Sequence, residues 1–308
     1  MPHAHHHGPG HAAHAPSSTR VFAVVTLVNL AYTVLEAGYG LAINSLALLS
    51  DALHNLGDVL GLGLAWGAAV MARRPPTPRH TYGWRRATLL SPLANALLLV
   101  GFAGALGWEA LQRISAPPQI AALPVVLVAA LGIAVNLGAA WLVREEHRGQ
   151  DLNRRGAFLH LLADAAVSLA AVLAGLGMWW FGWAWLDPAT SLLIGAVVAI
   201  GAFGLLRESF NAVMDAVPGS VDQAAVRTFL DQQPGVVAVH HLHIWSLGSG
   251  EIAMTAHLVR PDHPDNDAFL NEVGLALDRQ FGINHATLQI EHGSACHHDR
   301  HDCGPHGQ

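Results

Sequence analysis

Six long apolar runs dominate the chain, at about 21–43, 46–71, 87–112, 120–143, 157–181 and 187–206. Each reaches the roughly 20 residues that a helix needs to cross about 30 Å of hydrocarbon. The connections between them are unequal. RRPPTPRHTYGWRR, between the second and third runs, carries Arg73, Arg74, Arg79, Arg85 and Arg86, and REEHRGQDLNRR, between the fourth and fifth, carries Arg144, Arg148, Arg154 and Arg155. Arg20 precedes the first run and Arg207 follows the sixth, whereas AIN, ISAPPQ beside Arg113, and FGWAWLD are nearly bare of basic charge. Basic loops stay on the cytoplasmic side. Both termini and the Arg-rich loops are therefore expected inside, in a multi-pass protein of the cell (inner) membrane. Trp179, Trp180, Trp183 and Trp185 then mark the far interface.

After Pro218 the period changes. VDQAAVRTFLDQQPG reads as a short amphipathic helix, VVAVHHLHIWSLG and IAMTAHLVR as strands, DNDAFLNEVGLALDRQFG as a second helix, and HATLQIEH as a last strand. This α-β-β-α-β order, with both helices on one face of the sheet, predicts a small α+β unit of ferredoxin-like type. At about 75 residues such a unit is marginal alone and is expected to depend on pairing. The fold class expected is thus an α-helical membrane protein with six transmembrane helices and a C-terminal cytoplasmic α+β ferredoxin-like domain. The expected boundaries are a His-rich tail over 1–19, a six-helix membrane domain over 20–212, a cytoplasmic domain over 213–292 and a His/Cys-rich tail over 293–308.

Composition agrees with the pattern. The 308 residues are 52% hydrophobic and only 12% charged, against about 25% charged in soluble domains. All sixteen basic residues are Arg, which reads as genomic base composition. The net charge of −6 adds little, because the charges sit in a few loops and the last 90 or so residues. Cys296 and Cys303, the only cysteines, lie in the hydrophilic tail, so no disulfide framework is expected. The start, MPHAHHHGPGHAAHAPSSTR, lacks the layout of a cleaved signal peptide. The His-, Gly- and Pro-rich ends, 1–16 and 293–308, are expected to be disordered.

Against this apolar background the stretch SDALHNLGD stands out. His54 and Asp58 are four residues apart, so they project from one helical face, and AFLHLLADAAVSL in the fifth run repeats the spacing with His160 and Asp164. Each ionisable group near a bilayer centre costs about 2.5–3.5 kcal/mol on insertion scales. A single such residue could serve as a buried ion pair or an interhelical hydrogen bond, but a duplicated HxxxD points to ligation. Two imidazoles and two carboxylates suit tetrahedral Zn²⁺ and neutralise its charge. Asp51 is read as a vestibule or helix-orienting residue rather than a ligand. Glu36 and Glu109, single acids in the first and third runs, could relay protons or bond between helices, and the structural role is the one expected.

These motifs carry a resemblance. SLALLSDALHNLGD, HTYGWRR, GAFLHLLADAAVSLAAVL, DPATSLLIG and VHHLHIWSLGSG, followed by TAHLV and HATLQIE, resemble the cation diffusion facilitator family over about 20–292. The likeness is to its zinc/cadmium/cobalt efflux branch, which includes bacterial zinc exporters and animal zinc transporters. The resemblance implies a homodimeric, proton-coupled exporter whose transport site is His54, Asp58, His160 and Asp164. It also implies a cytoplasmic regulatory zinc site at His240, His257, His285 and Glu291, although alternation along one strand lets only part of His240, His241 and His243 face the same way. FLNEVGLAL lacks a further His for a binuclear site. The loop between the second and third runs offers only His80, so a zinc site is not expected there. In place of the missing His-rich loop between the fourth and fifth runs, His3, His5, His6, His7, His11, His14 and CHHDRHDC are read as metal-capturing tails dispensable for transport.

The function expected is secondary active export of divalent cations, chiefly Zn²⁺, in exchange for protons by alternating access. Cd²⁺ and Co²⁺ are further candidate cargoes. Metal ligation requires neutral imidazole and ionised carboxylate, so metal and proton compete for one site. Zinc is cargo and a candidate regulatory ligand rather than a cofactor, and the expected partners are protons, the bilayer and a second copy, with no nucleic acid. A zinc hydrolase would need an open metal position and a base, and HExxH is absent. A membrane-anchored zinc sensor would leave the four intramembrane ligands unexplained. The protein is not expected to be an enzyme.

Overall fold

The computed structural model describes residues 16–145, 152–248, 250–262 and 267–293. Eight helices and three strands are described, in the order α1 (Pro16–Ile43), α2 (Leu46–Ala72), α3 (Ala87–Ile114), α4 (Ala122–Glu145), α5 (Leu152–Phe181), α6 (Leu186–Val213), α7 (Gln223–Asp231), β1 (Ala238–Gly248), β2 (Glu251–Val259), α8 (Asp267–Phe281) and β3 (His285–Glu291). The first six are long and apolar enough to cross a membrane. Several outrun the apolar stretches that announce them: α6 continues through Arg207 and Glu208 to Val213. An apolar run marks only the hydrocarbon-embedded part of a helix, and backbone hydrogen bonding carries it on into the polar interface. Of the expected tails over 1–19 and 293–308, residues 1–15 and 294–308, with their His and Cys residues, lie outside the described residues, and 16–19 belong to α1.

By internal contacts the chain forms two units, residues 1–60 with 98–201 and residues 61–97 with 202–308. In the first, α1, α4 and α5 pack together, with α4 and α5 the most intimate pair. Small residues allow the close approach. A Cβ on Gly132 of α4 would run into the Tyr32 ring of α1 and lie 2.9 Å from Ser168 Oγ of α5, and one on Gly175 would meet Val126 Cγ2 at 2.7 Å. Around these crossings Tyr32, Leu48, Val125, Val128, Ala129, Ala171 and Met178 form a buried core. Leu41, Leu127, Leu173 and Ile200 face outward, a surface suited to acyl chains rather than water. The α1–α2 turn closes at Asn44 in the left-handed region (φ 59°), a conformation Asn tolerates as a helix cap.

In the second unit, α7 and α8 pack on a three-stranded sheet of order β1-β2-β3. β1 and β2 are an antiparallel hairpin, and β2 and β3 run parallel, joined through α8. Asp222 caps α7 by accepting from the Ala224 and Ala225 amides. Val226 and Leu230 of α7, Phe269, Val273 and Leu277 of α8, and Val239, Leu242, Ile244, Met254, Ala256 and Leu258 of the sheet make one core. Apolar burial on a single sheet face is what the two-residue period predicts. β1 breaks that period once: His241 has φ 50° and the register slips between His240 and His243. The α2–α3 loop joins this unit through Arg85, bonded to Glu251, and Arg86, 2.8 Å from Asp215.

Candidate metal centre

The rise of α2 and α5 turns each HxxxD into a pair on one face, and the two pairs meet. His54 Nε2 lies 3.4 Å from Asp164 Oδ1, and His160 Nε2 lies 3.2 Å from Asp58 Oδ2 and 3.6 Å from Asp164 Oδ2. The imidazoles meet edge to face with centroids 6.3 Å apart. Ligand atoms of His54, Asp58 and Asp164 all fall within 4.8 Å of one another. Tetrahedral zinc with bonds of about 2.0–2.1 Å separates its ligand atoms by about 3.3–3.4 Å, a length the three pair spacings approach; His54 and His160 meet different oxygens of Asp164, and His160 stands outside the three-residue group. Exposure is graded. Asp164 is buried, with its side chain 2% exposed, whereas those of Asp58 and His160 are 35% and 49% exposed. The set is therefore dry on one side and open on the other.

Next to these four residues lies a second polar group. Asp51 and Glu36 are both fully buried. Ser168 Oγ, one turn beyond Asp164 on α5, donates to Asp51 Oδ2 at 2.9 Å, and Tyr32 donates to Glu36 Oε1 at 2.7 Å. Asn55 Nδ2 lies 3.5 Å from Glu36 Oε2. Asp51 thus braces α2 against α5, and Glu36 bonds within α1 and to α2. Glu109 turns elsewhere: it pairs with Arg113 at 2.8 Å, and Arg113 donates to the Asn44 carbonyl at 3.0 Å.

Asp187 has no role in the sequence reading, and the structure supplies one. Buried at the start of α6, it accepts from Ser45 Oγ at 2.5 Å, the Leu46 amide at 2.8 Å and the Ala47 amide at 3.2 Å. It caps the amino end of α2, the helix that carries His54 and Asp58. The signal in the sequence was LDPATS, an Asp before Pro at a helix start, which reads as a cap of its own helix.

On the sheet, Glu291 bridges two imidazoles, 2.9 Å from His240 Nε2 and 2.8 Å from His257 Nδ1. Partial burial works to raise its carboxyl, but the hydrogen bonds and charge of His240 and His257 hold it below the usual glutamate range. The bulge brings in a further residue. The His241 ring lies tilted, 5.2 Å from that of His240 and 4.9 Å from that of His257, and nitrogen atoms of all three lie within 4.8 Å. His285 is not part of this group. β3 pairs Gln289 with His257 and His285 with Ala253, so His285 sits about 13 Å away along the strand at 3.3 Å per residue, with its ring 5.6 Å from Tyr82. His80 stacks on Trp84 at 4.4 Å.

Comparison with known proteins gives the family. The Cation efflux transmembrane domain family matches residues 22–214, and the Cation efflux protein, cytoplasmic domain family matches residues 218–293. Zinc transporter ZitB of Escherichia coli (strain K12) is 35% identical over 303 residues, covering 96% of this chain and 96% of that one. A cadmium, cobalt and zinc/H(+)-K(+) antiporter of Bacillus velezensis is 32% identical over 303 residues, covering 97% of this chain and 94% of that one. Among solved structures, the metal-bound C-terminal domain of the CzcD transporter from Cuprividus metallidurans is 38% identical, covers 23% of this chain and 99% of that chain, and has a TM-score of 0.22.

Proposed function

The chain belongs to the cation efflux family of membrane transporters, and from that premise we propose that it exports Zn²⁺ from the cytoplasm in exchange for protons, through His54, Asp58, His160 and Asp164. The observation that carries the reading is the meeting of two HxxxD faces, with each imidazole 3.2–3.6 Å from a carboxylate of the other helix or its own. Each face alone could be an ion pair, but two converging in a bilayer make a dication site.

The exchange follows from ligand chemistry. Zinc binds neutral imidazole and ionised carboxylate, so loading displaces protons and protonation displaces zinc. Imidazole changes charge between about pH 5 and 8, which puts this competition in the working range. One site used alternately by metal and proton enforces antiport. The half-open side at Asp58 and His160 suits cargo passage, and the buried side at Asp164 suits retention. The Arg-rich loops support an orientation with both termini in the cytoplasm, and the small α+β unit supports a homodimer joined through residues 213–292. His240, His241, His257 and Glu291 are read as a regulatory zinc site on that unit, and the terminal His-rich segments as capture tails.

The test is zinc flux into proteoliposomes under an imposed pH gradient, with Cd²⁺, Co²⁺, Mn²⁺ and Ni²⁺ compared. Zinc flux should follow the proton gradient, and Asp164→Ala should abolish it while the protein still inserts and dimerises. Near-normal flux in Asp164→Ala would sink the site assignment.

A further inference from the structure

The acids behind the metal ligands are in excess of what zinc requires. Asp58 and Asp164 already balance a dication, yet Glu36 and Asp51 are fully buried beside them. Asn55, one turn after Asp51 on the same face of α2, reaches Glu36 Oε2 at 3.5 Å, which sets the two acids side by side. The groups around them are identifiable element by element. α1 contributes Tyr32, α2 contributes His54 and Asp58 further along, and α5 contributes Ser168 with Asp164 and His160 beyond. α4 carries no ionisable side chain from Ala122 to Leu142 and offers the Val128 carbonyl, 3.4 Å from the Tyr32 hydroxyl.

Two carboxylates facing each other in a dry site cannot both stay ionised, so such a pair holds one proton between them. The hydrogen-bond inventory asks for the same proton. Tyr32 and Asn55 meet the two oxygens of Glu36 and Ser168 one oxygen of Asp51, while Asp51 Oδ1 is buried with no donor among the described residues. A proton on the Glu36 carboxyl supplies the missing donor. The position matters as much as the chemistry. Asp51 is one turn before His54 on α2, and its partner Ser168 is one turn after Asp164 on α5. The pair is therefore tied to both helices that hold the metal ligands.

We propose that Glu36, facing Asp51, is a second proton site of the exchange cycle, separate from the metal ligands. It carries a proton while the four ligands are metal-free and releases it when zinc binds. The added positive charge a helical turn away favours the ionised carboxylate, and the proton departs toward the half-open side of the ligand set. This inference rests on the zinc/proton exchange reading above and extends it by a group that never touches the metal.

The experiment counts protons. Zinc is titrated into the purified full-length protein in several buffers of different ionisation enthalpy, which gives the protons released per zinc bound. Glu36→Gln keeps the shape and bonds of the side chain but cannot ionise. It should release about one proton fewer per zinc than the parent, and Glu36→Asp should restore the count. Asp51→Asn, which removes the facing charge, gives an independent variant with the same expected loss should Glu36→Gln fail to fold. An unchanged proton count in well-folded Glu36→Gln and Asp51→Asn overturns the proposal and leaves the pair a purely structural contact. Failure of the exchange reading itself looks different, because Asp164→Ala would then bind as many zinc ions as the parent rather than one fewer.

Discussion

Replacing Asp187 by Ala separates a structural anchor from a metal-handling acid. The carboxylate accepts from one hydroxyl and two amides, Ser45 Oγ, Leu46 N and Ala47 N, all buried. Losing an amino-terminal cap costs about 1 kcal/mol, with a range of about 0.5–2. A buried donor left without an acceptor costs about 1–3 kcal/mol more, and Ser45 Oγ would be such a donor. The expected loss is about 2–4 kcal/mol, a large share of a typical folding free energy of about 5–15. Asp187→Asn keeps one acceptor and should lose about half as much. The helix beyond is held by its own ladder, beginning with Leu49 N to Ser45 O at 3.2 Å, and His54 and Asp58 lie two to three turns further on. Zinc affinity should therefore change by less than about tenfold, the lower edge of the effect seen when a residue supporting a metal ligand is lost. Equilibrium unfolding in detergent gives the first quantity and calorimetric zinc titration the second. Lost zinc binding with parent-like stability would refute the capping account.

Three further outcomes follow from the geometry. His54→Asp trades an imidazole for oxygen ligation, which larger and harder ions tolerate, so the Cd²⁺:Zn²⁺ flux ratio should rise above the parent value across pH 6 to 8. An unchanged ratio would remove His54 from the ligand set. In an Asp164→Ala background, where only the cytoplasmic cluster remains, His241→Ala should weaken zinc binding at least about tenfold and His285→Ala should leave it unchanged; the reverse order would mean that the bulge is not what assembles the site. Because the Glu291 carboxyl is held below its usual range, its contribution to folding is complete above about pH 4.3 and is lost as pH falls through the lower folded-state value. In chelated protein, amide protection of β3 should therefore fall with acid in the parent but show no such step in Glu291→Gln.

Most of the fold was legible because hydrocarbon and a two-layer α+β unit impose simple periods. A run such as ALPVVLVAALGIAVNLGAAWL admits no other reading than a span, and Val226 with Leu230, or Phe269, Val273 and Leu277, repeats at helical spacing on the side that meets the sheet. Helix ends were less legible, since Arg207 and Glu208 interrupt the apolar run without interrupting the backbone ladder of α6. The duplicated HxxxD was legible for the same reason as the spans: polar residues at one helical spacing have nowhere to hide in an apolar sequence.

What escaped the sequence is whatever depends on pairing between elements. Strict alternation along β1 would aim His240 and His241 to opposite faces. The buried positions Val239, Leu242 and Ile244 are spaced three and then two, which betrays the bulge, but only the register with β2 converts that irregularity into three imidazoles on one side. His285 was a reasonable expectation while the register of β3 was unknown, because a strand end and a strand middle look alike in sequence. Asp187 and the Glu36–Asp51 pair belong to the same class. Each acid satisfies its local pattern, one as a helix start and the others as lone intramembrane carboxyls. Their roles arise from partners 142 and 15 residues away, at Ser45 and across α1 and α2. An acid whose partner is distant in sequence is unreadable from spacing alone.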